Sequence, residues 1–374
     1  MAVVGLLGAS GYTGRLVARA LDRRGMAFVA AGRHPQRLRT AVEGLDHAQS
    51  VRVVDVHDRD ALTALCREVD VLATTVGPFV ALGQPVLEAA VAAPCHYLDA
   101  CGEQPFLAWA FETQGGPAAK AGVSAVLACG FWGIMGDLLA HLAAAAVAGA
   151  VEIHAAYIAR GAGISASKGT RTTISRLLAR RGHAFLDGHL VEEGLAEVRR
   201  HAWFPRPVGP RYTAGIPGVE PLTVPRHVPE VRLVRSYIAL PGPLLDLTQL
   251  IANLARWEPA RVAATRLLER GPEGPGEKGR QSVRWACVAE AEGATGEVAR
   301  AWAYGRDPYG LTAEAMAAAA ERLVAGLGEA TGCVAAAEAL DPAGLLDDLA
   351  DATGLRWSVR TSASDDPHGT GDVR

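Results

Sequence analysis

Several things are missing from this chain, and each absence closes off a class of function. No cysteine pair has the CxxC spacing of a metal or redox motif. Cys66, Cys95, Cys101, Cys129, Cys287 and Cys333 are the only thiols among 374 residues, which predicts reduced side chains, no disulfide frame and a cytoplasmic setting. No cluster with metal-ligand spacing stands out either. Charge of one sign is not in excess: 37 Lys and Arg face 40 Asp and Glu, a net charge of -3, so nothing draws the chain toward nucleic acid. No apolar run is long enough to span a bilayer. The Ala-rich stretch near residues 138–150 is short and weakly apolar and predicts a buried helix. No basic segment precedes the first apolar run, so no signal peptide is expected, and there is no internal repeat.

What is present suits two globular domains. The chain is 49% hydrophobic and 21% charged, enough apolar side chain for a sizeable core. It opens with an apolar run, Ala2 to Leu7, of strand length. Gly8-Ala9-Ser10-Gly11-Tyr12-Thr13-Gly14 breaks it. A helical pattern follows to about Arg24, with Leu16, Val17, Ala20 and Leu21 on one face and Gly25 as its C-terminal stop. A second apolar run, Ala27 to Ala31, ends at Gly32-Arg33. Strand, glycine turn, helix and strand make the first βαβ unit of a dinucleotide-binding fold. Gly8 permits the turn, Gly11 lets the backbone approach a diphosphate, and Gly14 lets helix and strand pack closely. Ser10, Tyr12 and Thr13 complete the cradle, with backbone N–H groups at a helix start facing the anion.

The tip of the second strand selects the nucleotide. NAD folds place an acidic residue there for the ribose 2′-OH. Nineteen positions after Gly14, this chain has Arg33, with Arg37 one turn on. Their guanidinium groups can pair with a 2′-phosphate, so NADP is the predicted cofactor.

The alternation continues through the first third. Pro35 to Leu45 reads as a helix and Val51 to Val54 as a strand ending at Asp55. A helix capped by Asp58 follows, then strand Val71 to Thr75 and a helix starting at Pro85. Cys95 to Leu98 is the next strand, and Lys120 to Leu127 contains a helix end and a sixth strand. This alternation predicts an α/β, Rossmann-type doubly wound parallel sheet, whose ligands bind beyond the carboxyl ends of the strands. Afterwards the pattern changes to period-two segments at 151–159, 231–240, 283–291 and 297–304, the last two joined as a hairpin around Gly293. Helices are expected at 165–180 and 244–269. The second domain is therefore a mixed α+β domain. Residues 204–230, rich in Pro, Gly and Arg, read as an ordered loop over a site or interface. Thr312 caps an Ala-rich helix, and another runs from Asp341 to about Asp351. The expected division is 1–130 (NADP-binding domain), 131–310 (substrate and dimerisation domain), 311–357 (C-terminal helices packing back on the first domain) and 358–374 (disordered tail).

Together "GASGYTGRLVARAL", "AGRHPQRL", "TTVGPFVALGQPVLEAAVAAPCHYLDACGEQPF" and "GRDPYGLTAEA" resemble the saccharopine dehydrogenase-like family, and within it most resemble the trans-acting enoyl reductase branch. The resemblance covers the chain to about residue 350. It implies NADPH-dependent reduction, with substrates that range from amino-acid-derived imines to enoyl groups, and it implies a homodimer. At one place the chain departs from the family: where many relatives have Gly-Phe-Asp-Tyr, it has Gly130-Phe131-Trp132-Gly133, so Trp132 can line the pocket in place of the Asp-Tyr pair.

The remaining site residues follow from position. Thr75, Val76, Gly77, Pro78 and Phe79 leave the fourth strand and are expected to flank the nicotinamide and its ribose. Asp55 either bonds the adenine amino group or turns the chain. A proton must also reach the reduced product. Tyr97 is the candidate donor and Asp99 the group that orients a donor or anchors an ammonium. Glu103, Phe131 and Trp132 are candidate substrate contacts, as are Lys168 and Arg171, which together could hold a carboxylate or phosphate. Arg206, Arg211, Arg226 and His227 could meet an acidic carrier or a CoA phosphate. The expected function is NADPH-dependent hydride delivery to an enoyl C=C bond of a lipid or specialised-metabolite intermediate, free or carrier-bound. The alternatives are reduction of an imine C=N bond and a non-catalytic NADP sensor.

Overall fold

A computed structural model describes residues 2–161, 167–172, 181–240, 242, 257, 259, 271–328 and 330–361. The chain forms two compact units. Unit 1 comprises residues 1–134 and 309–353, and unit 2 comprises 135–308 and the chain from Gly354.

Unit 1 is built on a parallel sheet. Its strands and helices are β1 (Val3–Leu7), α1 (Tyr12–Arg23), β2 (Ala27–Gly32), α2 (Pro35–Val42), β3 (Ala48–Val53), α3 (Arg59–Glu68), β4 (Val71–Thr74), α4 (Phe79–Ala92), β5 (His96–Asp99), α5 (Gln104–Trp109), α6 (Gly115–Lys120) and β6 (Ser124–Val126). The sheet runs β6-β5-β4-β1-β2-β3, with strand Gly332–Val334 paired outside β6. The strand order thus reverses between β1 and β4. The apolar face of α1 is buried as its spacing predicts, Leu16, Val17, Ala20 and Leu21 among it. Gly25, at φ +67°, ends the helix. Asp58 caps α3 by accepting from the Ala61 amide.

Two helix starts in unit 1 depart from expectation. α4 starts at Phe79, with Pro85 inside it, because the Glu103 carboxylate accepts from the amides of Phe79 and Val80 and caps the helix from another part of the chain. Thr312 lies within the helix Pro308–Val324, and its hydroxyl accepts from the Phe131 amide. The returning chain is also tied to α1: Arg24 pairs with Glu314, Glu321 and Asp348.

Unit 2 holds the predicted hairpin. After α7 (Phe131–Ala145), which starts in unit 1, come β7 (Ala150–Arg160), β8 (Gly182–Leu186), β9 (His189–Glu193), β10 (Arg199–Trp203), β11 (Pro210–Ile216), α8 (Glu220–His227), β12 (Leu233–Ala239), β13 (Arg284–Gly293) and β14 (Val298–Arg306). The sheet path is β10-β11-β12-β7-β13-β14, extended by strand Arg356–Thr361, with β8 and β9 off β12. It is mixed, since β12 pairs parallel with β7 while β13 pairs antiparallel with β7 and β14. The predicted loop 204–230 is instead largely β11 and α8. The expected disordered tail starts too early, because residues 358–361 pair with β14 through backbone bonds that need no apolar pattern. Of the predicted helix 165–180, residues 168–172 are helical, Ser167 precedes them outside the helix, and 165–166 and 173–180 lie outside the described residues, as does nearly all of 244–269. Among the described residues no helix is long and apolar enough to cross a membrane.

Candidate cofactor site

The site begins in the turn after β1. Gly8 has φ +91°, and a Cβ there would meet Thr75 Oγ1 at 2.8 Å. A Cβ on Gly14 would overlap the Gly8 carbonyl oxygen. Both positions therefore require glycine. The turn closes through Gly11 N donating to Gly8 O (2.9 Å) and Gly8 N donating to Ala31 O (2.8 Å). Gly11 is the N-cap of α1. No side chain caps the helix, and its first turn has no acidic residue. The positive end of the helix dipole is thus presented where an anion can meet it.

Beside this turn, the chain leaving β4 adds the second wall. Thr75 N donates to Leu7 O at 3.0 Å, and Val76 N to Thr74 Oγ1 at 3.2 Å. Thr75, Val76, Gly77 and Pro78 are partly or fully exposed, whereas Phe79 is buried against Phe106. The two walls flank the point where strand order reverses, the place where doubly wound sheets bind ligands. Ser10, Arg15, Gln36, Arg37, Thr40 and Ala41 line a shallow cleft on the side of β2 and α2. Arg15 Nη1 donates to Ser10 O at 2.7 Å. Arg33 is exposed at the tip of β2. Sequence reasoning missed Arg15, although its place right after the third glycine was the available signal. This glycine cradle and its arginines fit a dinucleotide that carries an extra phosphate. Asp55 sits beyond β3, and its Oδ1 accepts from His57 N at 3.0 Å, so it turns the chain locally.

The residues proposed for chemistry are placed differently. Tyr97 and Asp99 share one face of β5, and both are fully buried. Asp99 Oδ1 accepts from the amides of Cys101 (2.9 Å) and Ala128 (2.8 Å) and so ties the end of β5 to that of β6. Burial pushes the Asp99 carboxyl up to about 6, although both amide bonds pull it down. Burial also pushes the Tyr97 phenol well above its usual range, with the Asp99 charge adding to the effect. The Tyr97 hydroxyl and Asp99 Oδ2 lie in the interior without a well-formed hydrogen bond. Neither presents a proton to solvent. Glu103 is spent on capping α4. Phe131 is buried beside Trp132, which is 38% exposed. In unit 2, Arg171 Nη2 donates to Pro272 O at 2.9 Å and Lys168 is exposed. His227, expected on an ordered loop, instead lies in α8 with its side chain buried and bonded to Asp137.

Comparison with known proteins covers the same ground. A mycobacterial trans-acting enoyl reductase (Mycobacterium ulcerans) is 35% identical over 141 residues, 36% of this chain and 34% of its own. A saccharopine dehydrogenase-like oxidoreductase of Arabidopsis thaliana is 31% identical over 147 residues, 36% and 32% of the two chains. The aligned part thus spans about a third of the length of these curated relatives. Among solved structures, apo saccharopine dehydrogenase (L-Glu forming) from Saccharomyces cerevisiae matches with a TM-score of 0.66 at 14% identity, over 96% of this chain and 100% of that one, which bears on the fold alone. The family model of the saccharopine dehydrogenase NADP-binding domain matches residues 4–126. Over those residues the chain is therefore similar to the saccharopine dehydrogenase NADP-binding domain.

Proposed function

We propose that the chain is an NADPH-dependent reductase acting on the C=C bond of an enoyl substrate, free or carrier-bound. One observation carries the NADPH part of this reading: an uncapped, glycine-lined helix start at the strand-order reversal, with Arg15 and Arg37 lining the cleft on the side of β2 and α2 and Arg33 exposed at the tip of β2. The backbone of Ser10 to Gly14 holds the diphosphate, and Arg33 and Arg37 hold the 2′-phosphate. Thr75 to Pro78 flank the nicotinamide ribose and ring. When bound there, NADPH supplies the hydride. Trp132, partly exposed at the first turn of α7, excludes water from the acyl group in the place where relatives have an Asp-Tyr pair. With Tyr97 and Asp99 enclosed in the core, the proton for the product carbon comes from water or another pocket acid. Asp99 serves as the brace that keeps the ends of β5 and β6 in register.

The names of the mycobacterial relatives favour enoyl reduction over imine reduction. So does the engagement of Arg171 with a backbone carbonyl, since a carboxylate-binding Lys168 and Arg171 pair was the feature expected of an amino-acid-derived imine. The test is consumption of NADPH by the purified chain with a panel of trans-2-enoyl thioesters, and separately with imines formed from amino acids and oxo acids. Oxidation with thioesters, yielding the saturated acyl product, is expected. Turnover with imines alone would transfer the assignment to C=N reduction. Tight NADPH binding without turnover on either panel would make the chain a sensor.

A further inference from the structure

Unit 2 encloses a polar cluster that the cofactor site does not use. Glu220, the first residue of α8, is wholly buried. The Tyr157 hydroxyl on β7 donates to its Oε1, and the Ser236 hydroxyl on β12 lies 2.5 Å from its Oε2, where it donates to the carboxylate and, turned about its C–O bond, accepts from the protonated acid. Glycines make room for this carboxyl: a Cβ on Gly136 or on Gly218 would overlap its oxygens. Among the described residues no ion pair involves Glu220. A second buried carboxyl, Asp137, follows Gly136 on α7, and the Gly136 amide donates to the Tyr157 hydroxyl at 3.0 Å. Asp137 differs in having an imidazole partner. His227 Nε2 lies 2.8 Å from its Oδ1, and His227 Nδ1 is 3.3 Å from His141 Nδ1. The groups facing Glu220 are therefore Tyr157 on β7, Ser236 on β12, Cys287 on β13 and Asp137 on α7, with His227 behind Asp137. A buried carboxylate without a cation, close to a second carboxylate, carries a desolvation cost that a proton removes.

We propose that Glu220 carries a proton in the folded protein, and that loss of this proton as pH rises loosens the seating of α8 on β7 and β12, which makes unit 2 pH-sensitive. Burial pushes the Glu220 carboxyl up to about 7, the Asp137 charge adds to this, and the two hydroxyl donors oppose it. The sign follows from linkage. The folded value lies above the unfolded one of about 4.5, so the stabilisation is complete below that pH and is lost as pH rises through about 7. Within this window the unfolding constant rises by up to about tenfold per pH unit.

The test is hydrogen exchange of the β7 and β12 amides in the full chain between pH 5 and 8, corrected for intrinsic rates and compared with Glu220→Gln. Glutamine has the shape of the neutral acid and no proton to lose. Wild-type protection is expected to fall relative to the variant by about a hundredfold across the window. Parallel profiles for the two proteins would overturn the proposal. Should Glu220→Gln not fold, Tyr157→Phe decides. It removes a donor that favours the carboxylate, so its transition should lie at higher pH than that of the wild type, and an unmoved transition would also overturn the proposal.

Discussion

Arg33→Ala is the perturbation that bears most directly on the cofactor site. Arg33 is exposed at the tip of β2, and its expected partner, the 2′-phosphate, distinguishes NADPH from NADH. A charge-assisted hydrogen bond contributes about 1.5–3 kcal/mol, and solvent screening at an exposed tip brings this to about 1–2 kcal/mol. The Kd for NADPH should therefore rise about 5–30-fold. The double variant Arg33→Ala, Arg37→Ala should lose about 30–900-fold if the two guanidinium groups act additively on the same phosphate. NADH lacks that phosphate, and its Kd should change by less than about twofold. Calorimetric titration of both nucleotides at low and high salt gives all of these values. Raising ionic strength should narrow the NADPH effect and leave NADH unmoved. Arg33→Asp should go further and favour NADH, because a carboxylate repels the phosphate and accepts from a free 2′-OH. Equal losses for both nucleotides in Arg33→Ala would refute the reasoning, since the side chain would then act on the fold or on the shared diphosphate.

The other expectations concern the frame around the site. Gly14→Ala puts a methyl group into the Gly8 carbonyl, a backbone-to-backbone clash that no rotamer relieves. It should cost about 1–3 kcal/mol in thermal unfolding and weaken both nucleotides alike; binding at wild-type strength would show that the turn is not the cradle. Asp99→Ala strands the buried amides of Cys101 and Ala128 and should cost about 2–4 kcal/mol, whereas Asp99→Asn retains an acceptor and should cost clearly less. Because the folded Asp99 carboxyl lies near 6, above its unfolded value, its contribution is complete below about pH 4 and is lost as pH rises through about 6. Asp99→Asn should flatten that part of the stability profile in denaturant titrations, and an unchanged profile would show that Asp99 does not titrate there.

Much of unit 1 was legible in the residues because its signals are local. The turn needs glycine at Gly8 and Gly14 for reasons of φ and close approach, and α1 buries the face that its apolar spacing marks. The guanidinium at Arg33 follows from counting along one βαβ unit. Where a sheet is held by backbone bonds instead of apolar contrast, the residues say little. The strand Arg356–Thr361 pairs with β14 at the place expected to be a disordered tail, and Gly332–Val334 joins the sheet of unit 1 without a sequence signal.

The sequence by itself determined the dinucleotide turn, the parallel alternation around it and the arginine at the tip of the second strand, since each depends on residues within about thirty positions of one another. Only the tertiary structure decided what the carboxylates do. Glu103 caps α4 across 24 positions and Asp99 braces β6 across 29, while Glu220 meets Tyr157 across 63. A carboxylate in a sequence shows its charge but not the donors around it, and burial with those donors decides whether it binds a ligand, braces a loop or holds a proton.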